Sequence, residues 1–218
     1  MSALAPSMNH RPWRGTRAAI GAVLLLVLIV AMVFSTRAVK IGSSADTQVQ
    51  TFDPAAYGAK QFPVTQAAIE KRAVDAATLA AAIAKDADAA GKQYGVASGG
   101  VGPEISVKFT GVAESEDSGV YTIKVPGLPD SLTVRVQTGP AINGTDLRDA
   151  TGTISFEQFT NQIDYQNAGY AINAAMKKAV LSKVDTAKLK GKTVDVTGVF
   201  QLVNPNGWLV TPASLDVK

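Results

Sequence analysis

The chain has 218 residues, enough for one sizeable hydrophobic core, and 46% of them are hydrophobic. It contains no cysteine, which excludes disulfides, thiol catalysis and cysteine metal sites, and a single histidine, His10. The formal charge of +3 sits at the N-terminus: residues 1–40 carry five Lys and Arg and no Asp or Glu, so removing five from +3 leaves −2 for residues 41–218. That remainder lacks the concentrated basic face that nucleic acid requires, and no nucleic-acid partner is expected.

In chain order, the first element is Ala18 to Phe34, an uncharged apolar run. At about 1.5 Å per helical residue it crosses most of a roughly 30 Å hydrocarbon layer, which predicts a membrane helix. Arg11, Arg14 and Arg17 precede it and favour a cytoplasmic N-terminus with an extracytoplasmic remainder, while Arg37 and Lys40 oppose that bias. A cleaved signal peptide is the alternative, but Thr36 and Ala38 make a poor cleavage site. A single-pass signal anchor over residues 1–40 is therefore expected, followed by an extended tether over residues 41–52.

Asp53 and Pro54 read as the cap and first residue of a short helix ending near Lys60. Phe62-Pro63 reads as an interruption, Thr65 as the cap of a second short helix to Ala73, and Asp75 as the cap of a third running to Ala90. These make a small helical subdomain over residues 53–98. Gly99 to Pro103 reads as a joint, because no Lys-Ser/Thr follows to make a phosphate loop.

From Glu104 the apolar period becomes two. Three strands are expected over 105–112, 121–125 and 132–136, with a bulge at Gly111. A long helix is expected over 161–184, with Tyr165, Ala168, Ile172, Met176 and Ala179 on one face. Two further strands follow, 194–202 with a bulge at Gly198, and 208–217. Trp208, Phe200 and Tyr121 read as core. Three strands, a helix and two strands is the order of an OB-type barrel. The fold class is thus α+β: an N-terminal transmembrane helix, a small helical subdomain, and a five-stranded OB-like β-barrel over residues 99–218, its long helix between strands three and four.

The most specific polar stretch is Thr138 to Gln166, where Gly139-Pro140, Asn143-Gly144 and Gly152 turn the backbone repeatedly. With His10 on the tail, the extracytoplasmic part has no histidine for nucleophilic or metal chemistry, and no catalytic residue, metal or cofactor is expected. Paired-carboxylate chemistry among Asp146, Asp149, Glu157 and Asp164 is a minor alternative to capping and solvation. Arg148, Asp149, Asn161, Gln162 and Asn143 are the candidate ligand-binding residues, since a guanidinium beside a helix N-terminus suits a carboxylate, phosphate or sugar hydroxyl. The competing reading is that Arg148 pairs with Asp149 and locks the turns. Asn143-Gly144-Thr145 also fits a glycosylation sequon, although an Asn-Gly turn explains it equally.

The run Gly139-Pro140, Asn143 to Ala150 and Gly152, with Ile154-x-Phe156, Phe159-x-Asn161-Gln162, Leu189-x-Gly191-Lys192 and Thr211-Pro212-x-x-Leu215-x-Val217, resembles a bacterial family of predicted periplasmic lipoproteins of unknown function. The resemblance covers nearly all of residues 20–218. It implies a helical part joined to an OB-like barrel, and a membrane-anchored accessory or binding module for carbohydrate or small-solute uptake, with ABC transporter components as partners. It supplies no catalytic residues. The alternative is a structural cell-envelope module that binds protein and no small ligand. Members carry a lipid-attachment cysteine; this chain has none, so attachment would rest on the helix.

Overall fold

The computed structural model describes residues 13–36, 52–97, 99 and 101–218. Residues 41–51 of the expected tether and the flanking Arg11, Arg37 and Lys40 lie outside those residues, as do the side chains of Arg14 and Arg17; Phe52, expected to end the tether, belongs to the second unit. Two compact units result, one within residues 1–51 and one over residues 52–218. In the first, α1 (Trp13–Ser35) is long and apolar enough to cross a membrane, and from Ala18 on its residues are exposed throughout.

The second unit begins with α2 (Pro54–Arg72), capped as expected: the Asp53 carboxylate accepts from the Ala56 amide at 3.1 Å and Pro54 opens the helix. The predicted interruption at Phe62-Pro63 does not occur, and α2 runs straight through Pro63. An internal proline removes one hydrogen bond and costs about 3 kcal/mol. Burial offsets that cost, because Phe62 and Ile69 on the same helix are 2% and 1% exposed. Thr65, expected as a cap, instead lies inside the helix and is fully buried.

After the two-residue β1 (Val74–Asp75), Asp75 caps α3 (Ala76–Lys85) by accepting from the Ala77 and Thr78 amides. The third helix was expected to reach Ala90, but Asp86 adopts an extended backbone (φ −163°) and becomes the cap of a new helix, α4 (Ala87–Tyr94). An aspartate can satisfy an N-terminal amide, so it starts a helix more readily than it continues one. β2 (Gly95–Val96) follows.

The sheet comprises β1, β2, β3 (Glu104–Asp117), β4 (Val120–Lys124), β5 (Thr133–Gln137), β6 (Thr193–Gln201) and β7 (Gly207–Val217). Its pairings run β3–β4–β5–β7–β6, and β6 pairs again with β3, so the five long strands form a ring of hydrogen-bonded neighbours. The β5–β7 pair is parallel; the other four are antiparallel. β1 and β2 pair with the first half of β3. The first four residues of β3 are buried on both faces, Glu104 and Ser106 included, and alternation begins only at Lys108.

Gly111 is not a bulge. It pairs regularly with Val194, and the register shift lies between Ala113 and Ser115. Gly111 serves close approach instead, because a Cβ there would meet the Lys124 carbonyl oxygen at 2.7 Å. At Gly198 the register does shift, with Ala213 of β7 as the additional residue. Between β5 and β6 the chain forms α5 (Asp146–Asp149), a 3-10 turn at Phe156–Gln158 and α6 (Gln162–Ala179), which ends before the expected Val184 in a 3-10 turn at Leu181–Lys183.

The helices of residues 54–94 do not stand apart from the sheet. α2 lies along α6 with Gly58 against Ala171, where a Cβ would come 2.2 Å from the Ala171 carbonyl oxygen. Phe62, Ile69, Leu79 and Ile83 join one core with Ile105, Val196, Phe200 and Trp208. Phe200 and Trp208 stack at 4.7 Å with rings 14° apart, both fully buried, and the Trp208 indole N–H donates to the Pro205 carbonyl.

Candidate functional site

The loop from Thr138 to Asp149 is built against α6 and β7. Residues 165, 169, 173 and 177 of α6 are four apart and therefore share one face. Each meets the loop. The Tyr165 carbonyl accepts from Arg148 Nη1 at 3.1 Å; Gly169 lies under Thr145, where a Cβ would stand 3.0 Å from Thr145 Cγ2; Asn173 Nδ2 donates to the Gly144 carbonyl at 3.0 Å; and Lys177 Nζ donates to the Pro140 carbonyl. From the strand side, Gln137 donates to the Asn143 carbonyl at 3.3 Å and accepts from the Asn143 amide at 3.1 Å.

Arg148 is 8% exposed, and its groups are turned inward. Nε donates to Asp149 Oδ1 at 2.7 Å and Nη2 to Oδ2 at 3.0 Å, a bidentate pair. The guanidinium carbon lies 3.7 Å from the centroid of the Tyr165 ring. Asp149 Oδ2 also accepts from the Thr145 hydroxyl at 2.6 Å. Asp146 points the other way: its Oδ2 accepts from the Thr211 hydroxyl at 2.7 Å, and that hydroxyl accepts from Gln137 Nε2 at 2.8 Å. Burial pushes the Asp146 carboxyl above its ordinary range, with the Thr211 bond opposing the shift.

The structure brings Arg148 and Asp149 together and leaves the other candidates apart. Asn161 is the cap of α6, accepting from the Asp164 amide and donating to the Asp164 carboxylate, both at 2.9 Å. Gln162, the first residue of α6, is exposed, and among the described residues neither it nor Asn161 is hydrogen-bonded to Arg148. The main chain of Asn143 is held by Gln137 while its side chain is exposed. Glu157 accepts from the Ser155 hydroxyl at 2.8 Å, so each of the four carboxylates considered for paired catalysis is engaged in a hydrogen bond. Sequence reading missed Gln137, Asn173, Thr211 and Tyr165 as partners of this loop. The signal available for Asn173 was its position two turns after Tyr165 on the helix face that packs inward.

Beside Arg148 lies an aromatic cluster. Phe52, Tyr57 and Phe159 meet pairwise at 5.2–5.7 Å, and Tyr165 joins Phe159 and Phe156 at 5.5 and 5.9 Å. Phe52 and Tyr57 flank the α2 cap as a hydrophobic staple. Phe156 remains 47% exposed. Burial raises the Tyr57 and Tyr165 hydroxyl pKa values, and the nearby Arg148 charge opposes both shifts. Within the glycine-rich stretch Gly102 is explained by packing, since a Cβ there would stand 2.2 Å from the Leu202 carbonyl oxygen; upstream, one on Gly95 would stand 2.6 Å from Pro103. Among the described residues no group of three or more His, Cys, Asp or Glu is placed to hold a metal ion.

Residues 25–216 match the family described as "Predicted periplasmic lipoprotein (DUF2291)". The chain belongs to this family. Among solved structures, this DUF2291 member is similar to an OB-fold protein from Thermotoga maritima, at 20% identity and a TM-score of 0.60, over 77% of this chain and 99% of that one. At that identity the likeness shows the fold, an OB fold. No curated protein matches.

Proposed function

We propose that this DUF2291 member is a non-enzymatic, extracytoplasmic accessory or binding module, anchored by the single helix at Ala18 to Phe34. The observation that carries this reading is the inward use of Arg148, whose charge is spent on Asp149, the Tyr165 carbonyl and the Tyr165 ring. A loop that spends its charges inside the fold acts as a scaffold, and recognition then falls to a surface. The ring of strand pairings supports reading the sheet as a closed five-stranded barrel, with α6 between its third and fourth strands.

Service to carbohydrate or small-solute uptake, with ABC transporter components as partners, is the finer part of the proposal and rests on the family resemblance. A structural cell-envelope module without a small ligand is the second reading, favoured by the half-exposed Phe156 on its aromatic cluster. A thermal-shift screen of the parent and Arg148→Ala with sugars and sugar phosphates separates the possibilities, because a ligand that binds only the native state raises its melting temperature. As scaffold, Arg148→Ala melts lower by an amount equivalent to about 3 kcal/mol, with any ligand response kept in the folded fraction. A variant that melts with the parent but has lost the response would overturn the scaffold reading. No response from either protein favours the second.

A further inference from the structure

Two Asn-Gly pairs occur in the folded unit, Asn143-Gly144 and Asn206-Gly207, and the fold treats them differently. At the second, the Gly207 amide donates to the Asn204 carbonyl at 3.2 Å, the Asn206 amide to Asn204 Oδ1 at 3.0 Å, and the Asn206 carbonyl accepts from the Thr133 amide at 3.0 Å. At the first, both residues are exposed. The Asn143 side-chain amide and the Gly144 N–H have no hydrogen-bond partner among the described residues. Gly144 has φ +90° and no side chain to shield its nitrogen.

We propose that Asn143 is a site of spontaneous deamidation, and that the loop it belongs to is thereby set to loosen with age. The Gly144 nitrogen gives its proton to solvent hydroxide and attacks Asn143 Cγ. The Cγ–Nδ2 bond breaks, ammonia leaves, and a five-membered succinimide forms. Water then opens the ring at one carbonyl or the other, giving aspartate or isoaspartate, so the net change is one water consumed and one ammonia released. The Asn143 main chain is restrained by the Gln137 side chain, and the Gly144 carbonyl by Asn173. One of the two Gln137 bonds, at 3.3 Å, is longer than the ordinary limit of about 3.2 Å.

The product disturbs what the loop is built on. Isoaspartate lengthens the main chain by one carbon just before Gly144, whose carbonyl is held by Asn173 Nδ2. Asn173 is 4% exposed and its Oδ1 already lacks a partner, so displacing Gly144 leaves a buried amide with neither bond. The new carboxylate also joins Asp146 and Asp149 in one short loop.

The test uses purified full-length protein in detergent, held in mildly alkaline buffer, with peptide mapping by mass spectrometry and methyl transfer to isoaspartate as the two readouts. Folded protein should convert Asn143 about tenfold faster than Asn206, a barrier difference of only ~1.4 kcal/mol. In concentrated urea the two should convert at similar rates. Gln137→Ala should speed conversion at 143 severalfold. Asn143→Gln, which changes only an exposed side chain, should abolish the signal there and keep the parent melting temperature through the incubation, while the parent's falls. Conversion at Asn143 no faster than at Asn206 in the folded protein would overturn the proposal, as would a parent melting temperature that holds steady while Asn143 converts.

Discussion

Asp146 is the residue whose environment opposes its charge most plainly. Its carboxyl is raised by burial, so ionisation is disfavoured in the folded chain relative to the unfolded one. The sign follows: below the unfolded value, about 3.9, the group contributes nothing to the balance, and stability is lost as pH rises from there through the raised folded value. Asp146→Asn keeps an oxygen for the Thr211 hydroxyl and removes the charge. Its melting temperature relative to the parent should therefore improve from acid to neutral pH and level off above the folded value. A pH series of paired melting curves checks this, and a difference that stays flat across the series would show that Asp146 is not held against its charge. The adjacent Arg148 and Asp149 were legible as a pair because they are neighbours in the chain. The partners of Asp146 were not, because Thr211 lies 65 residues on and Gln137 reaches it across 74. No local pattern carries such a distance.

Among the elements, the α2–α6 pair is the sharpest case of packing overriding local signals. Pro63 reads as a break by itself, and the helix persists because Phe62, Thr65 and Ile69 are buried along one side. Gly58 reads as a weak point of the same helix, yet it is the contact that lets α2 approach Ala171. Gly58→Ala sets two effects against each other: a gain of about 1 kcal/mol in helix propensity, and overpacking against backbone, which costs typically 1–3 kcal/mol and more where nothing can yield. The obstructing atom is a main-chain oxygen at 2.2 Å, so overpacking should win and denaturant unfolding should show a net loss of about 2 kcal/mol. The strands were legible because alternation is local, as at Ile105, Val107 and Phe109. The burial of Glu104 and Ser106 was not, because it depends on elements distant in sequence that pack against β3.

At the scale of the whole molecule, the proposed anchor at Ala18 to Phe34 predicts that the full-length protein should sediment with membranes and that protease added to spheroplasts should digest the part beyond Val39. Recovery of a soluble species beginning near Val39 would show cleavage instead. Neutralising Arg11, Arg14 and Arg17 together should loosen the orientation, since those charges carry most of the bias. The bonds that tie the 138–149 loop to β7 also have a bearing on the order of events in folding. The Gln137–Thr211 and Asp146–Thr211 bonds join residues from the middle of the domain to its last strand. During synthesis the loop therefore stays unfinished until β7 emerges, and closing so long a span before any reward makes this step slow. A chain truncated before Thr211 should retain helical signal yet leave this loop open to protease. The two Thr211 bonds are the ties of this loop that must wait for the last strand.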